Sequence, residues 1–324
     1  MQKRRLGRSD LQVAPLSFGG NVFGWTADEE TSFKLLDGFV HAGLNLVDTA
    51  DVYSVWAPGH KGGESETIIG KWLKKRGTRE DVVIATKCGM KMSSELGVGS
   101  LSKKYIFEAI DASLKRLQTD YVDLYQAHTD DPNTPLEETL EAFTDLIKQG
   151  KVRAVGASNY KAPRLTEALR ISEQNGFARY ESLQPEYNLL ERSNYETKLE
   201  HICVEHELGV ISYFSLARGF LTGKYKSESD LSKSPRGDGV TKYMNDRGFK
   251  IVRAVEQVAE RQKVSPAAVA LAWLMARPSV TAPIASATSV DQLENLIQAT
   301  KITLSDAEMK ALNYASQYEH TAAT

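Results

Sequence analysis

Two cysteines, Cys88 and Cys203, are all that 324 residues contain, too few for a disulfide framework or a four-ligand zinc site. No charge of one sign prevails: 40 Lys and Arg stand against 42 Asp and Glu, a formal net charge of −2. That balance excludes the basic excess of a nucleic-acid binder. No uninterrupted apolar run nears the roughly 18 residues of a membrane span, and none follows the basic start MQKRRLGRSD as a secretory signal requires. The expected setting is the reducing cytoplasm, with neither membrane nor nucleic acid as partner. His201 and His206 are five apart on an expected helix and face different sides, so no metal site is expected. Missing too is a Gly-rich phosphate turn after the first strand. Its nearest approach, Gly97-Val98-Gly99-Ser100, lacks the third glycine and follows no strand, which argues against an open dinucleotide-binding sheet.

What the chain does have is ample apolar content, 41% hydrophobic residues, in a regular alternation. Strand-like runs fall at 13–18, 44–48, 82–86, 121–127, 152–157, 181–185, 210–214 and 280–285. Between them lie amphipathic helices, with stripes at Ile106, Ile110, Leu114, Leu117 and at Leu136, Leu140, Phe143, Ile147. Helix starts are marked by Thr134-Pro135-Leu136-Glu137, Ser265-Pro266 and the capping box Ser305/Glu308. Eight strand–helix units predict an α/β (β/α)8 TIM barrel, a single domain over residues 1–324. Two departures are expected: a short N-terminal hairpin turning at Gly7–Asp10 and lying on the barrel floor, and a long polar loop, Thr222–Gly248, between strands 7 and 8.

Barrel active sites gather where the strands end. The residues closing the apolar runs are Asp48 (with Tyr53 in the same loop), Lys87, His128, Ser158 and Asn159, Gln184, Tyr213 and Ser286. Asp48, Lys87 and His128 are about one βα unit apart and should project side by side. An acid, a phenol, an amine and an imidazole together suit proton donation to a carbonyl. A free phenol titrates near 10, too weak an acid at neutrality; a neighbouring ammonium lowers that value, and a carboxylate holds the ammonium charged. Neutral His128 can orient the carbonyl oxygen. None of these groups supplies electrons, so a reduction needs a hydride donor of the nicotinamide class. Cys88, next to Lys87, reads as a buried inert thiol if the strand alternates.

The motifs NLVDTADVY (45–53), ATKCG (85–89), LYQAH (124–128), VRAVGASNY (152–160), LQPEYNLL (183–190) and the Ser-Leu-x-Arg-Gly-x-Leu-Thr-Gly-Lys-Tyr run at 215–225 resemble the aldo-keto reductase superfamily over nearly the whole chain. Among its branches the sequence most resembles the aryl-alcohol-dehydrogenase-like bacterial oxidoreductases. The resemblance implies NADP(H) bound in an extended pose, with Tyr53 as general acid, Lys87 and Asp48 tuning it, and His128 orienting the substrate. It further implies Ser158, Asn159 and Gln184 on the carboxamide and Tyr213 stacking on the nicotinamide. Gly20 and Asn21 would lie on the nicotinamide side. Phe214, Ser215, Leu216, Ala217, Arg218 and Lys224 would fold over the pyrophosphate, and Ser286, Ala287, Thr288, Gln292 and Asn295 would lie at the adenosine 2′-phosphate. This last stretch departs from the family: no basic residue occurs between Pro283 and Thr300. Ser289 with Gln292 reads equally well as a helix cap. NADPH is the expected cofactor and NADH the competitor. Phe23, Trp25 and Trp56 are placed at the mouth, where packing and contact with a ring-bearing substrate are equal readings. The expected activity is reversible reduction of aromatic or cyclic aldehydes and ketones, a small-molecule carbonyl or alcohol being the partner. The alternative is a nucleotide-sensing regulatory subunit resembling potassium-channel β subunits, which carry motifs like Asp-Pro-Asn-Thr-Pro (131–135). Nothing in the sequence specifies an oligomeric state.

Overall fold

A computed structural model describes residues 2–92, 99–235 and 237–318. Gly97 and Val98 of the discounted glycine run lie outside the described residues, as does the C-terminal tail beyond 318. The N-terminal hairpin is an antiparallel pair, β1 (Arg4–Arg5) and β2 (Gln12–Val13). Eight strands form one parallel sheet, each overlapping its candidate run: β3 (Ser17–Gly19), β4 (Leu46–Asp48), β5 (Val83–Cys88), β6 (Val122–Ala127), β7 (Val152–Ser158), β8 (Tyr180–Gln184), β9 (Gly209–Val210) and β10 (Ile284–Ala285). Their order is β10-β3-β4-β5-β6-β7-β8-β9. Beyond the strand pairing, the amides of Thr281 and Ala282 donate to the Val210 carbonyl at 2.8 and 3.1 Å, and that of Ile284 to Ser212 at 2.8 Å. The fold is α/β, consistent with a TIM-barrel-like arrangement.

The helices are α1 (Glu29–His41), α2 (Glu64–Arg76), α3 (Lys103–Leu117), α4 (Leu136–Lys148), α5 (Ala162–Asn175), α6 (Ser193–Lys198), α7 (Glu200–Glu205), α8 (Asp246–Gln262), α9 (Pro266–Met275), α10 (Val290–Ala299) and α11 (Asp306–Ala315). Helix α2 stops at Gly77, left-handed at φ 74°, after Lys74, Lys75 and Arg76, cations that favour the negative end of the helix dipole. Ser265 caps α9, and Ser305 with Glu308 closes a reciprocal capping box on α11. Helix α4 departs from expectation. Its cap position is Pro135, because the Thr134 hydroxyl donates instead to Asp131 at 2.7 Å. No helix among the described residues is long and apolar enough to cross a membrane.

Strand alternation positions the site. On the sheet face away from the helices, Leu46, Val83, Ala85, Leu124, Ala154, Ile211, Ala282 and Ile284 pack into one apolar layer, sealed by Leu6, Leu11 and Val13 of the hairpin. Each buried Val, Leu or Ile in it stabilises the fold by about 1.5–3 kcal/mol. Two residues further along each strand the same face turns polar, because side chains repeat with period two. Asp48 follows Leu46, Lys87 follows Ala85, Gln126 follows Leu124, and Ser286 follows Ile284. The opposite parity, Val47, Ile84, Cys88, Tyr125 and Ala127, packs under the helices. Gly7, at φ 61°, is required in the hairpin turn, where a Cβ would lie 2.1 Å from the Glu181 carbonyl oxygen.

The stretch 222–248, expected as a long polar loop, carries local structure. It holds two short 3₁₀ segments, Glu228–Lys233 and Gly237–Tyr243, before α8 begins at Asp246. The reason is local capping plus isolated apolar anchors. The Asp230 carboxylate accepts from the amides of Lys226 and Ser227 at 2.7 and 3.1 Å, while Val240 and Tyr243 are buried.

Candidate active site

Four groups meet at the polar layer. Lys87 is 0% exposed and its ammonium donates to Asp48 Oδ2 at 2.7 Å, to the Thr49 carbonyl at 2.8 Å and to the Tyr53 hydroxyl at 2.9 Å. An ammonium has three protons and no lone pair, so these three acceptors account for the charged form in full. The Tyr53 hydroxyl donates to Asp48 Oδ2 at 3.2 Å, and its ring meets that of His128 edge-on at 5.9 Å. Asp48 is held from its other oxygen by Gln184 at 2.9 Å and Gln126 at 3.4 Å.

Burial draws the Lys87 ammonium below its ordinary value, while the charge of Asp48 pulls it back up. For His128, burial and then the Lys87 charge act in the same direction and carry the imidazole well below 6.5. His128 is therefore neutral at neutral pH. Its effect on stability has a definite sign. Below pH 6.5 the unfolded chain takes up a proton at this residue that the fold resists, so stability present above 6.5 is lost as the pH falls. Thermal unfolding from pH 8 to pH 5 is expected to show a smaller acid-side loss for His128→Asn than for the wild type. Parallel curves would remove His128 from that role.

Asp48, Tyr53, His128 and Gln184 line a cavity of about 870 Å³, within the usual range for small-molecule sites. The Tyr213 hydroxyl donates to Asn159 Oδ1 at 2.7 Å, Asn159 donates to the His128 carbonyl at 2.9 Å, and the Ser158 hydroxyl to that of Gln184 at 3.0 Å. Asn159, at φ 59°, occupies a left-handed conformation. Ser286 and Asn21 come together at 2.7 Å. The wall continues through Phe214, Ser215, Leu216, Arg218 and Lys224 to Thr288, Gln292 and Asn295. Phe214, Ala217 and Arg218 have φ of 51°, 48° and 57°, left-handed conformations that are uncommon for non-glycine residues.

Several expected residues do not reach the cavity. Phe23 is fully buried and stacked on Phe18 at 5.3 Å; it belongs to the core and not to the rim. Trp25 packs edge-on against Trp56 at 5.6 Å, and of the two only Trp56 lines the cavity. Gly20 is buried, its carbonyl accepting from Ser65, and the neighbouring Gly19 lines the wall in its place. Ala217 and Ala287 are buried with the larger core; Ala287 is one residue out of step with Ser286 and faces the other way. Lys87 acts from beneath Tyr53. Cys88 is buried, and burial pushes its thiol far up. Among the described residues no group of three or more His, Cys, Asp or Glu forms a metal site.

The chain as a whole has known relatives. A family model described as the aldo/keto reductase family matches residues 15–317. The chain belongs to the aldo/keto reductases. Protein tas of Escherichia coli is 33% identical, covering 98% of this chain and 99% of that protein. The uncharacterized oxidoreductase YrpG of Bacillus subtilis is 36% identical over 97% of this chain and 95% of its own length. Aldo-keto reductase YhdN of the same organism is 33% identical, covering 94% and 89%. Sequence reasoning missed some of this aldo/keto reductase's cavity lining. Met90, Thr129 and the 233–235 and 265–267 segments line it as well. Gln126 supports Asp48, and only the two-residue step from Leu124 would have signalled it.

Proposed function

We propose that this aldo/keto reductase is an NADPH-dependent reductase of aldehydes and ketones, aromatic or cyclic, working reversibly, with Tyr53 as proton donor. The carrying observation is the Lys87 ammonium, whose three short contacts bind Asp48, Thr49 and Tyr53 into one unit. As the phenol gives up its proton, the charge left on its oxygen lies 2.9 Å from a cation in a water-poor setting. Neutral His128 stands beside it to hydrogen-bond the carbonyl oxygen. The residues fit a nicotinamide dinucleotide. Arg218, Lys224 and Lys233 line the cavity, whereas among the described residues Asp48 is its sole carboxylate and is paired with Lys87. That charge pattern suits an elongated polyanion. Ser158, Asn159, Gln184 and Tyr213 would hold the nicotinamide end, and the bound cofactor would supply the hydride. An aromatic wall of Trp56 and Tyr53, with ring centres 6.0 Å apart, supports the preference for ring-bearing carbonyls. Membership of the aryl-alcohol-dehydrogenase-like branch and a cytoplasmic setting are part of the same reading. So is a closed barrel, supported by the hydrogen bonds between the 281–284 and 210–212 segments.

The test is oxidation of NADPH and of NADH in parallel by the purified protein on aromatic, alicyclic and short linear carbonyls. Turnover is expected with NADPH and highest on ring-bearing substrates. Nucleotide binding without turnover on any of them would replace the enzyme by a nucleotide sensor.

A further inference from the structure

In the eighth-strand segment the only charges between Pro283 and Thr300 are those of Asp291 and Glu294, both negative, and Thr288, Gln292 and Asn295 are engaged within the segment itself. Gln292 Oε1 accepts from the amide and hydroxyl of Thr288 at 2.9 and 3.2 Å, and the Asn295 amide donates to the Asp291 carbonyl at 2.8 Å. These groups are neutral, and they line a cavity that also receives a cation from elsewhere in the chain. Lys233 closes the first 3₁₀ segment of the 222–248 stretch and lines the same cavity. Its ammonium is fixed from two directions, by Asp230 at 2.7 Å and by the Lys224 carbonyl at 3.3 Å. Asp230 is itself anchored by the Lys226 and Ser227 amides, so the capping box that shapes the segment also aims the lysine. Lys233 remains half exposed, with its charge open to a ligand.

We infer that Lys233 is the residue by which this protein recognises the adenosine 2′-phosphate of NADP(H), supplying from the 228–233 segment the cation that the eighth-strand segment lacks. The inference rests on the nucleotide reading above and deepens it. A charged hydrogen bond from an ammonium to a phosphate distinguishes NADP(H) from NAD(H) only if it reaches the 2′-phosphate. A contact to the pyrophosphate, which both share, weakens both alike. Neutral Thr288 and Gln292 would complete the shell without charge.

The measurement is binding of NADP+ and of NAD+ to the whole chain, by calorimetry or fluorescence titration, for wild type, Lys233→Ala and Lys233→Arg. Wild type is expected to bind NADP+ the tighter. Lys233→Ala is expected to weaken NADP+ by about tenfold, the scale of one charged hydrogen bond, while NAD+ changes by less than about twofold. Lys233→Arg should retain the preference. Lys34→Ala, an exposed lysine on α1, controls for the general loss of a positive charge. Equal weakening of both nucleotides, or no change in either, overturns the assignment. Wild-type preference for NAD+ overturns it while leaving a nicotinamide-dependent enzyme. Binding of neither nucleotide overturns the nucleotide reading itself, and this inference with it.

Discussion

Tyr53→Phe is expected to lower turnover by about 10²–10⁴-fold, the range contributed by a positioned general acid, while leaving nucleotide binding within about twofold. The substitution removes one oxygen and keeps the ring, so the edge contact with His128 at 5.9 Å and the packing on Trp56 at 6.0 Å persist. Lys87 loses one of three acceptors but keeps Asp48 at 2.7 Å and Thr49 at 2.8 Å, so neither buried charge is left unpaired. The loss should therefore fall on kcat and spare both the melting temperature and the nucleotide Kd. A variant melting with the wild type, binding nucleotide and turning over at the wild-type rate would show that water or another group delivers the proton. The role assigned to Tyr53 would then be withdrawn.

The same residues explain why the site was readable before the structure and parts of its wall were not. Asp48, Lys87 and Ser286 each stand two residues beyond an apolar partner on a period-two strand, so the strand carries the apolar floor and the polar mouth in one pattern. Parity also disposes of Cys88 and Ala287, which sit one step out and face the helices. The hairpin was legible because the turn chemistry of Gly7–Asp10 is flanked by the apolar Leu6 and Leu11. Phe23 was not, since an aromatic in a loop reads alike whether it rims a mouth or stacks on Phe18. Nor was the 222–248 stretch: its 3₁₀ segments depend on the Asp230 cap and on scattered contacts such as Val240 and Tyr243, with no period to betray them. Lys233 reaches the cavity only through that tertiary arrangement. Asp51 was equally hidden. It is fully buried, and desolvation followed by the neighbouring Glu66 pushes it up to about 8, a value no local sequence pattern suggests.

Lys87→Met should be the most damaging single change in the site, in stability as well as rate. Lys87 and Asp48 are 0% and 1% exposed, and removing one member of a buried pair strands the other, at a cost of about 3–5 kcal/mol. Gln184 at 2.9 Å and Gln126 at 3.4 Å would still donate to Asp48, but as neutral dipoles they do not cancel its charge. The Thr49 carbonyl would lose its donor in the same step. The pair itself is not where the fold gains its stability, because burial disfavours the Lys87 charge more than Asp48 favours it. Neutralising both partners should thus be milder than neutralising one: the Lys87→Met/Asp48→Asn double variant is expected to recover most of the stability that Lys87→Met loses. Turnover should not recover with it, since in either variant the phenol lacks the cation that stabilises its ionised form. Urea unfolding of the wild type, both singles and the double closes the cycle. A double variant no more stable than Lys87→Met would mean that Asp48 was never the charge Lys87 neutralises. Recovered turnover in the double would mean that the ammonium is a structural support and not the group that tunes Tyr53.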